Sequence, residues 1–246
     1  MTLLSLQNKI RSWQNMKSAF GTLFENRYPY YITGISGGLF GFFLTEYLSK
    51  TKNTVLIVVP TEKEIESVRA DLDFSGIDFF VLPWWGSLAY RPVSPNAPVF
   101  SERAEILMRM LNTSKAQAKP AVFVTCQRCL LTPVPPVSYS EKQRLNIKIG
   151  EKIDISKTAA LLTAWGYTRV PRVTVRGEFA LRGEVLDICP ASNTGSTHAY
   201  RIQFDFDSIE KIKTFDVNSQ GSVTEYKTAD FFPAKEVIWD NERISV

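Results

Sequence analysis

Short apolar runs alternate with amphipathic stretches along the first half of the chain. The apolar runs are typical of buried parallel strands, and they cover residues 30–33, 55–59, 79–82 and 121–125. Between them, apolar residues recur every three or four positions, which predicts helices at 39–49, 61–73 and 101–111. Alternating strands and helices favour a parallel sheet covered by helices, so we expect an α/β domain.

The pattern changes after Leu131, where Thr132-Pro133-Val134-Pro135-Pro136 breaks regular structure. Further along, apolar and polar residues alternate through Tyr200–Phe206, which predicts a half-exposed strand of an antiparallel sheet. We therefore predict a first α/β segment at 1–131, an inserted small α+β domain with an antiparallel sheet at 132–206, and a return segment at 207–246. The chain ends without a clear terminating element, so we expect it to be part of a longer protein.

The composition limits the classes of function. Hydrophobic residues make up 44% and charged residues 22%, which indicates a folded chain rather than a disordered one. With no long apolar run and no signal peptide, we expect a cytoplasmic protein without membrane contact. Three cysteines and a single histidine argue against a disulfide framework, a zinc site and histidine-based catalysis. The net charge of +4 is spread along the chain, so direct binding to a DNA duplex is not indicated.

A glycine-rich stretch, Thr33-Gly34-Ile35-Ser36-Gly37-Gly38-Leu39-Phe40-Gly41, stands between a predicted strand and a predicted helix. A working phosphate-binding loop (P-loop) needs a second glycine, a lysine that reaches the phosphates and a hydroxyl for magnesium. Alignment on Gly34 puts Leu39, Phe40 and Gly41 at those three positions. We expect a degenerate P-loop, a turn that only packs a helix, with neither ATP nor magnesium bound and no catalytic residue.

Three further stretches carry a resemblance to a known family. The first runs from Phe80-Val81-Leu82-Pro83-Trp84-Trp85 to Tyr90, and the second is Trp165-Gly166-Tyr167. The third, Gly177-Glu178-Phe179-Ala180-Leu181-Arg182-Gly183 followed by Asp187 and Pro190, is the most specific. Together with Phe215-Asp216, they resemble the UvrB-like N-terminal region of bacterial transcription-repair coupling factors (Mfd proteins). The resemblance spans nearly the whole chain.

The resemblance implies a function in DNA repair. The region is similar to the part of Mfd that recruits UvrA during transcription-coupled nucleotide excision repair. In the full-length parent, other domains form an ATP- and magnesium-dependent DNA translocase that displaces stalled RNA polymerase. The resemblance thus implies UvrA as the partner of this chain, and contacts with RNA polymerase and DNA elsewhere in the parent. The sequence leaves the oligomeric state open.

The resemblance also selects candidate docking residues. UvrB binds UvrA through arginines near the matching positions, which implies Arg169, Arg182 and Arg201 here, with Glu178, Glu184 and Gln203 as polar neighbours. An arginine fork can bind a carboxylate with two hydrogen bonds. Alternation along the strands turns Arg182 and Arg201 away from the core, so we expect both to be replaceable without loss of the fold.

Two alternatives remain open. A UvrB-like or helicase-like ATPase would need the lysine that Phe40 replaces. A nucleic-acid-binding helicase domain would use Trp84, Trp85 and Tyr90 as stacking platforms for bases. Because these aromatic residues follow a predicted core strand without a dense basic stripe, we favour a packing role for them.

Overall fold

A computed structural model describes residues 3–24, 28–86, 97–113, 120–192 and 198–238. The chain divides into two compact units, Met1–Val81 with Ala116–Gln127 and Leu82–Lys115 with Arg128–Val246. The helices are α1 Leu3–Ser12, α2 Gln14–Leu23, α3 Gly38–Lys50, α4 Glu62–Phe74, α5 Ala97–Thr113, α6 Gln127–Leu130, α7 Val137–Ser140 and α8 Ile155–Ala164. The strands are β1 Val55–Val59, β2 Phe79–Val81, β3 Val122–Cys126, β4 Leu145–Lys148, β5 Thr168–Arg169, β6 Glu178–Arg182, β7 Val185–Ile188, β8 Ala199–Asp205, β9 Ser208–Phe215, β10 Ser222–Tyr226 and β11 Thr228–Phe231.

The first unit contains a three-stranded parallel sheet in the order β1-β3-β2. Every residue of the central strand β3 is buried, as its apolar sequence requires. Helix α4 starts with a capping box in which Thr61 and Glu64 exchange side-chain and backbone hydrogen bonds. The structure confirms the predicted parallel sheet with its interleaved helices.

Residues 30–33 form irregular structure, so the strand predicted there is wrong. The apolar run has no continuous buried face, since Tyr31 is exposed while Ile32 packs against a cluster that includes Phe20 and Phe43. The predicted first segment, 1–131, is also not a single unit. Helix α5 belongs to the second compact unit instead of the first.

The second unit is built on a six-stranded sheet in the order β10-β9-β8-β7-β6-β5. Strands β5 and β6 are parallel, and the other neighbours are antiparallel. A separate two-stranded sheet joins β4 and β11. One face of the large sheet forms the main core together with α8 and the small sheet, and its largest fully buried side chain is Trp165.

The predicted domain limit at Phe206 is wrong, because Phe206 and Asp207 form the turn of the β8–β9 hairpin. The sheet continues through β9 and β10, and β11 pairs with β4. Phe215, which lies in the predicted return segment 207–246, is instead fully buried at the end of β9. The antiparallel domain therefore extends well beyond residue 206.

A buried ion pair fastens the last described segment within this second unit. Arg103 on α5 binds Glu236 through two hydrogen bonds of 2.6 and 2.9 Å, and both side chains are almost completely buried. Trp85 donates a third hydrogen bond to Glu236, at 2.8 Å. Because breaking a buried ion pair leaves an uncompensated charge, these contacts hold residues near 236 against α5. Within the described residues, no helix is long and apolar enough to cross a membrane.

Candidate functional site

The face of the large sheet opposite the main core carries a set of charged side chains, which we call the outer face. The strand register places two rows of residues across it. The first row runs through Ala180, Asp187, Arg201, Lys213 and Glu225. The second runs through Arg182, Val185, Gln203 and Lys211. Because intervening residues such as Leu186 and Ile202 are in the core, alternation along each strand points these rows the other way.

Asp187 is the electrostatic centre of the first row. Its carboxylate is only 1% exposed and accepts two 2.8 Å hydrogen bonds from Arg201, one to each oxygen. Arg201 also donates to Gln220 at 3.1 Å, and its guanidinium lies 4.3 Å from the centroid of the Phe215 ring. The hydrogen bond with Asp187 raises the pKa of Arg201 above its ordinary value. The arginine fork is therefore already occupied within the chain.

This arrangement corrects the expectation that Arg201 is replaceable without loss of the fold. A buried carboxylate needs a paired cation to offset its lost hydration. Arg201 supplies that charge and is itself only 21% exposed. The sequence shows the outward direction of Arg201 but not the buried acid beside it.

Arg182 is more accessible than Arg201, with 49% of its side chain exposed. One guanidinium nitrogen donates to Asp187 at 2.7 Å. The rest of the fork is left for contacts outside the chain, because one guanidinium carries five donors. Asp187 thus orients two arginines on one surface, and Arg182 is the one that presents its charge outward.

Two lysines of β9 join these arginines, and neither was predicted from the sequence. Lys211 is directly opposite Gln203, and Lys213 is directly opposite Arg201. Lys211 pairs with Glu210, and Lys213 pairs with Glu225. The hydrogen bond with Glu210 raises the pKa of Lys211. Alternation of Lys211 and Lys213 with the buried Ile212 was the available signal, but a β-bulge at Glu210 interrupts the pattern that begins with the buried Ile209.

The charges of the two rows differ. The cations of both rows pair with acids, but those of the first row, Arg201 and Lys213, are only 21% and 28% exposed. The second row has Arg182 and Lys211 at its ends, both 49% exposed, with Val185 and Gln203 between them. The more accessible positive charge of the outer face therefore lies along the second row.

The structure does not bring Arg169 to this face. Arg169 is exposed on β5 and pairs in parallel register with Phe179, a core residue. Since paired residues of neighbouring strands lie on the same side of a sheet, Arg169 lies on the side opposite Arg182. Of the predicted arginines, only Arg182 and Arg201 share a surface.

Glu178 and Glu184 have different roles. The carboxylate of Glu178 accepts hydrogen bonds of 2.8 and 3.0 Å from the backbone of Thr174 and Val175, and another from the Thr174 hydroxyl. Burial by itself raises the pKa of Glu178, but these hydrogen bonds outweigh it and leave the pKa below its ordinary value. Glu184 is exposed in the turn between β6 and β7, where its backbone carbonyl accepts from Phe204. Glu178 therefore holds a loop in place, and Glu184 lies at the rim of the outer face.

The glycine-rich loop leads directly into α3. Gly34 and Gly37 have positive φ angles of 77° and 57°, which glycine adopts without strain. Helix α3 begins at Gly38, and Leu39 packs against the cluster around Phe20. Gly41 is buried against α4, where an added Cβ would come within 1.9 Å of the Ser75 hydroxyl and 2.7 Å of the Asp71 carbonyl. The lack of a side chain at Gly41 thus allows α3 and α4 to approach closely.

The tryptophans proposed as stacking platforms are in contact with arginines of the same unit. The guanidinium of Arg128 lies 4.9 Å from the centroid of the Trp84 ring, and that of Arg103 lies 5.3 Å from the centroid of the Trp85 ring. Trp85 is also hydrogen-bonded to Glu236. These contacts agree with the packing role favoured above. Tyr90 lies outside the described residues.

The second unit is similar to a known domain family. Residues 145–237 match the UvrB interaction domain family, a span that contains every strand of the six-stranded and the two-stranded sheet. The second unit therefore contains the span that is similar to the UvrB interaction domain family.

Similarity to known proteins extends over most of the chain. The transcription-repair-coupling factor of Haemophilus influenzae is 31% identical over 202 residues, which are 82% of this chain and 17% of that protein. The corresponding protein of Borreliella burgdorferi is 26% identical over 242 residues, 96% of this chain and 20% of that protein. That of Rickettsia prowazekii is 31% identical over 206 residues, covering 82% and 18%. The chain belongs to the transcription-repair-coupling factor family and spans about a fifth of the length of these relatives.

Proposed function

We propose that this chain recruits UvrA during transcription-coupled nucleotide excision repair, as one module of a transcription-repair coupling factor. The observation that carries the proposal is the coincidence of two features in residues 145–237. This span matches the UvrB interaction domain, and it contains every strand of the sheet whose outer face carries Arg182 and Arg201.

The outer face has the chemistry to bind an acidic surface of UvrA. Arg182 and Lys211 present half-exposed cations on either side of Val185 and Gln203. Charge-assisted hydrogen bonds to carboxylates are stronger than neutral ones, and they also fix the orientation of a partner. Asp187 supports this binding indirectly, because its hydrogen bond restricts the rotamers of Arg182 before the partner arrives.

We further infer that the Gly34–Gly41 loop is a degenerate P-loop that binds no nucleotide, so that this part of the protein is not an ATPase. Phe40 offers a triphosphate neither charge nor a hydrogen-bond donor. At Gly41 the contact with α4 leaves no room for the hydroxyl that would bind magnesium. In the full-length protein, ATP and magnesium belong to a separate motor, and other domains bind DNA and RNA polymerase.

Co-elution of the chain with purified UvrA in size-exclusion chromatography tests the recruitment. We expect a complex that persists at moderate ionic strength and forms without DNA. Separate elution of the two proteins at micromolar concentration contradicts the proposal. A filter-binding assay with DNA over a salt series identifies nucleic-acid binding, whose affinity falls steeply with salt.

A thermal-shift measurement tests the nucleotide site separately. A bound ligand raises the melting temperature, so millimolar Mg-ATP is expected to leave it unchanged. A clear upward shift that disappears when residues 34–41 are altered contradicts the inference.

A further inference from the structure

The excess positive charge of the chain is concentrated in one part of the sequence. Residues 1–52 contain six lysines and arginines but only two acids, Glu25 and Glu46, so they carry the whole net charge of +4. Over the remaining residues, lysines and arginines equal the acids in number. The expectation that the charge is spread along the chain is therefore wrong.

The structure gathers part of this charge around a groove of about 270 Å³ in the first unit, which we call the basic groove. It is lined by three cations, two aromatic rings and one acid, namely Arg11, Lys17, Lys50, Phe20, Phe24 and Glu46. Lys17, Phe20 and Phe24 follow each other at spacings of three and four residues along α2 and its C-terminal end. This spacing places them on one face of the helix. Helix α1 supplies Arg11, and α3 supplies Glu46 and Lys50.

Glu46 orients two of the three cations. Its carboxylate is 15% exposed and pairs with Arg11 at 2.6 Å and with Lys50 at 2.9 Å. Arg11 and Lys50 are both half-exposed, so their remaining donors are accessible. Because one acid neutralises only one of the two charges, this cluster keeps an excess positive charge.

Lys17 adds a further cation to the groove. Its side chain is exposed and has no ion-pair partner among the residues that the structure describes. An unpaired lysine is free to contact an anion without first breaking an existing pair. The lining of the basic groove thus complements a ligand with more than one negative charge.

An accessible aromatic ring lies beside these cations. Phe20 is buried, stacks on Phe43 at 4.7 Å between ring centroids, and has the Lys50 ammonium 4.9 Å from its centroid. Phe24 is 40% exposed and stacks on Tyr47 at 5.6 Å. Phe20 therefore packs the helices together, while Phe24 is held in place and still presents ring surface to the groove.

We propose that the basic groove binds a single-stranded nucleic acid, with Arg11, Lys17 and Lys50 at the phosphates and Phe24 stacked against a base. Lysine and arginine gain affinity for phosphates by releasing counterions, and aromatic rings stack on any unpaired base. Charge alone would suit any polyanion, but the accessible ring favours a strand whose bases are unpaired. The inference goes beyond UvrA docking and does not depend on it, because it uses residues of the first unit alone.

The phosphate contacts are tested by fluorescence anisotropy of a labelled oligothymidylate, titrated with the full chain at several salt concentrations. Loss of one phosphate contact on a single strand makes the slope of log K against log salt shallower by about 0.7, and we expect this change for Lys17→Gln. Lys63→Gln is the control, since Lys63 is an exposed lysine on α4 outside the groove. We expect it to leave the slope and the affinity unchanged. An oligouridylate of equal length shows whether the strand is DNA or RNA.

The stacking contact is tested by Phe24→Leu. Leucine keeps an apolar contact with Tyr47 but presents no flat ring, so we expect an affinity at least about fivefold lower with an unchanged salt slope. Phe74→Leu is the matched control, because Phe74 is an exposed phenylalanine at the end of α4 outside the groove. We expect it to bind as the unmodified chain does.

Thermal unfolding of each variant accompanies these titrations. Absence of oligonucleotide binding at low salt overturns the proposal, and so do equal effects of Lys17→Gln and Lys63→Gln, which would mean that only the overall charge matters. Weaker binding by Phe24→Leu together with a lower melting temperature assigns Phe24 a structural role and overturns the stacking. Tighter binding to a duplex of the same length also contradicts it. Binding to phosphatidylserine vesicles in place of the oligonucleotide assigns the groove to a membrane surface and overturns the proposal.

Discussion

Arg201 binds the buried carboxylate of Asp187 with two hydrogen bonds of 2.8 Å, and so it neutralises a charge inside the sheet. Replacing Arg201 with glutamate would place two carboxylates side by side, one of them without access to water. We expect Arg201→Glu to lower the free energy of unfolding by on the order of 3–5 kcal/mol. Urea denaturation measures this change.

Lys213→Glu is the matched control for this charge reversal. Lys213 is directly opposite Arg201, but its partner Glu225 is exposed. An exposed ion pair contributes less than about 1 kcal/mol, so this reversal is expected to have a small effect. Equal free energies of unfolding for the two variants would mean that Arg201 does not stabilise the buried Asp187 carboxylate. Weak UvrA binding by Arg201→Glu should accordingly be interpreted only beside its unfolding curve.

The contact between Gly41 and α4 predicts a stability effect in the first unit. Gly41→Ser adds a Cβ and a hydroxyl where Ser75 and the Asp71 carbonyl already lie. We expect a loss on the order of 2 kcal/mol from overpacking, without any gain of Mg-ATP binding. Thermal unfolding with and without Mg-ATP measures both effects.

Gly38→Ala provides the comparison within the same helix. An added Cβ at Gly38 lies 3.6 Å from the Phe74 ring, an ordinary contact distance. Alanine is also a better helix former than glycine, so this change is expected to be neutral or to stabilise by up to about 1 kcal/mol. A Gly41→Ser variant as stable as Gly38→Ala would show that α3 and α4 do not meet as described.

The hydrogen bonds that Glu178 accepts predict that the stability of the fold depends on pH. Its pKa in the folded chain lies below the ordinary value of 4.5, so its stabilising contribution is complete above that value. The contribution is lost as the pH falls through the lowered pKa, because the protonated carboxyl no longer accepts all its hydrogen bonds. Glu178→Gln is expected to cost about 1 kcal/mol at neutral pH and to weaken the dependence below pH 4.5.

Denaturation curves at a series of acid pH values measure this effect. Glu184→Gln serves as the control, because Glu184 is exposed and contributes a backbone carbonyl rather than its side chain. We expect the free energy of unfolding of Glu184→Gln to vary with pH as that of the unmodified chain does. A Glu178→Gln profile parallel to the unmodified one would contradict the role given to this carboxylate.

Local sequence patterns predicted the elements whose burial is continuous. The run Val55–Val59 and the strand β3 were found within a residue of their predicted limits because each is an uninterrupted apolar segment. The helix predicted at 61–73 likewise matches α4, Glu62–Phe74, to within a residue at each end. These features depend on neighbouring residues alone, and so a single sequence is enough to predict them.

Long-range pairing accounts for what the sequence did not predict. Strand β9 was missed because the extra residue Glu210 changes the spacing between Ile209 and Ile212 from two to three. This hid the continuation of the sheet and led to the wrong limit at Phe206. At the site, alternation indicated that Arg182 faces outward, but only the register across strands reveals Asp187 beside it.

The most direct test of UvrA docking compares two charge reversals on opposite sides of one sheet. Arg182→Glu alters the outer face, whereas Arg169→Glu makes the same change on β5, away from that face. Arg182 is half-exposed but also donates to the buried Asp187 carboxylate, so its reversal is expected to cost on the order of 1–3 kcal/mol of stability, less than Arg201→Glu, and the unfolding curve of the variant is measured beside its affinity.

Titration calorimetry with purified UvrA measures the affinity of both variants beside that of the unmodified chain. We expect Arg182→Glu to cost on the order of 2–5 kcal/mol of binding free energy, through lost hydrogen bonds and new repulsion, and Arg169→Glu to bind almost normally. An unchanged affinity for a folded Arg182→Glu variant, or an equal loss for both variants, would contradict docking through the outer face.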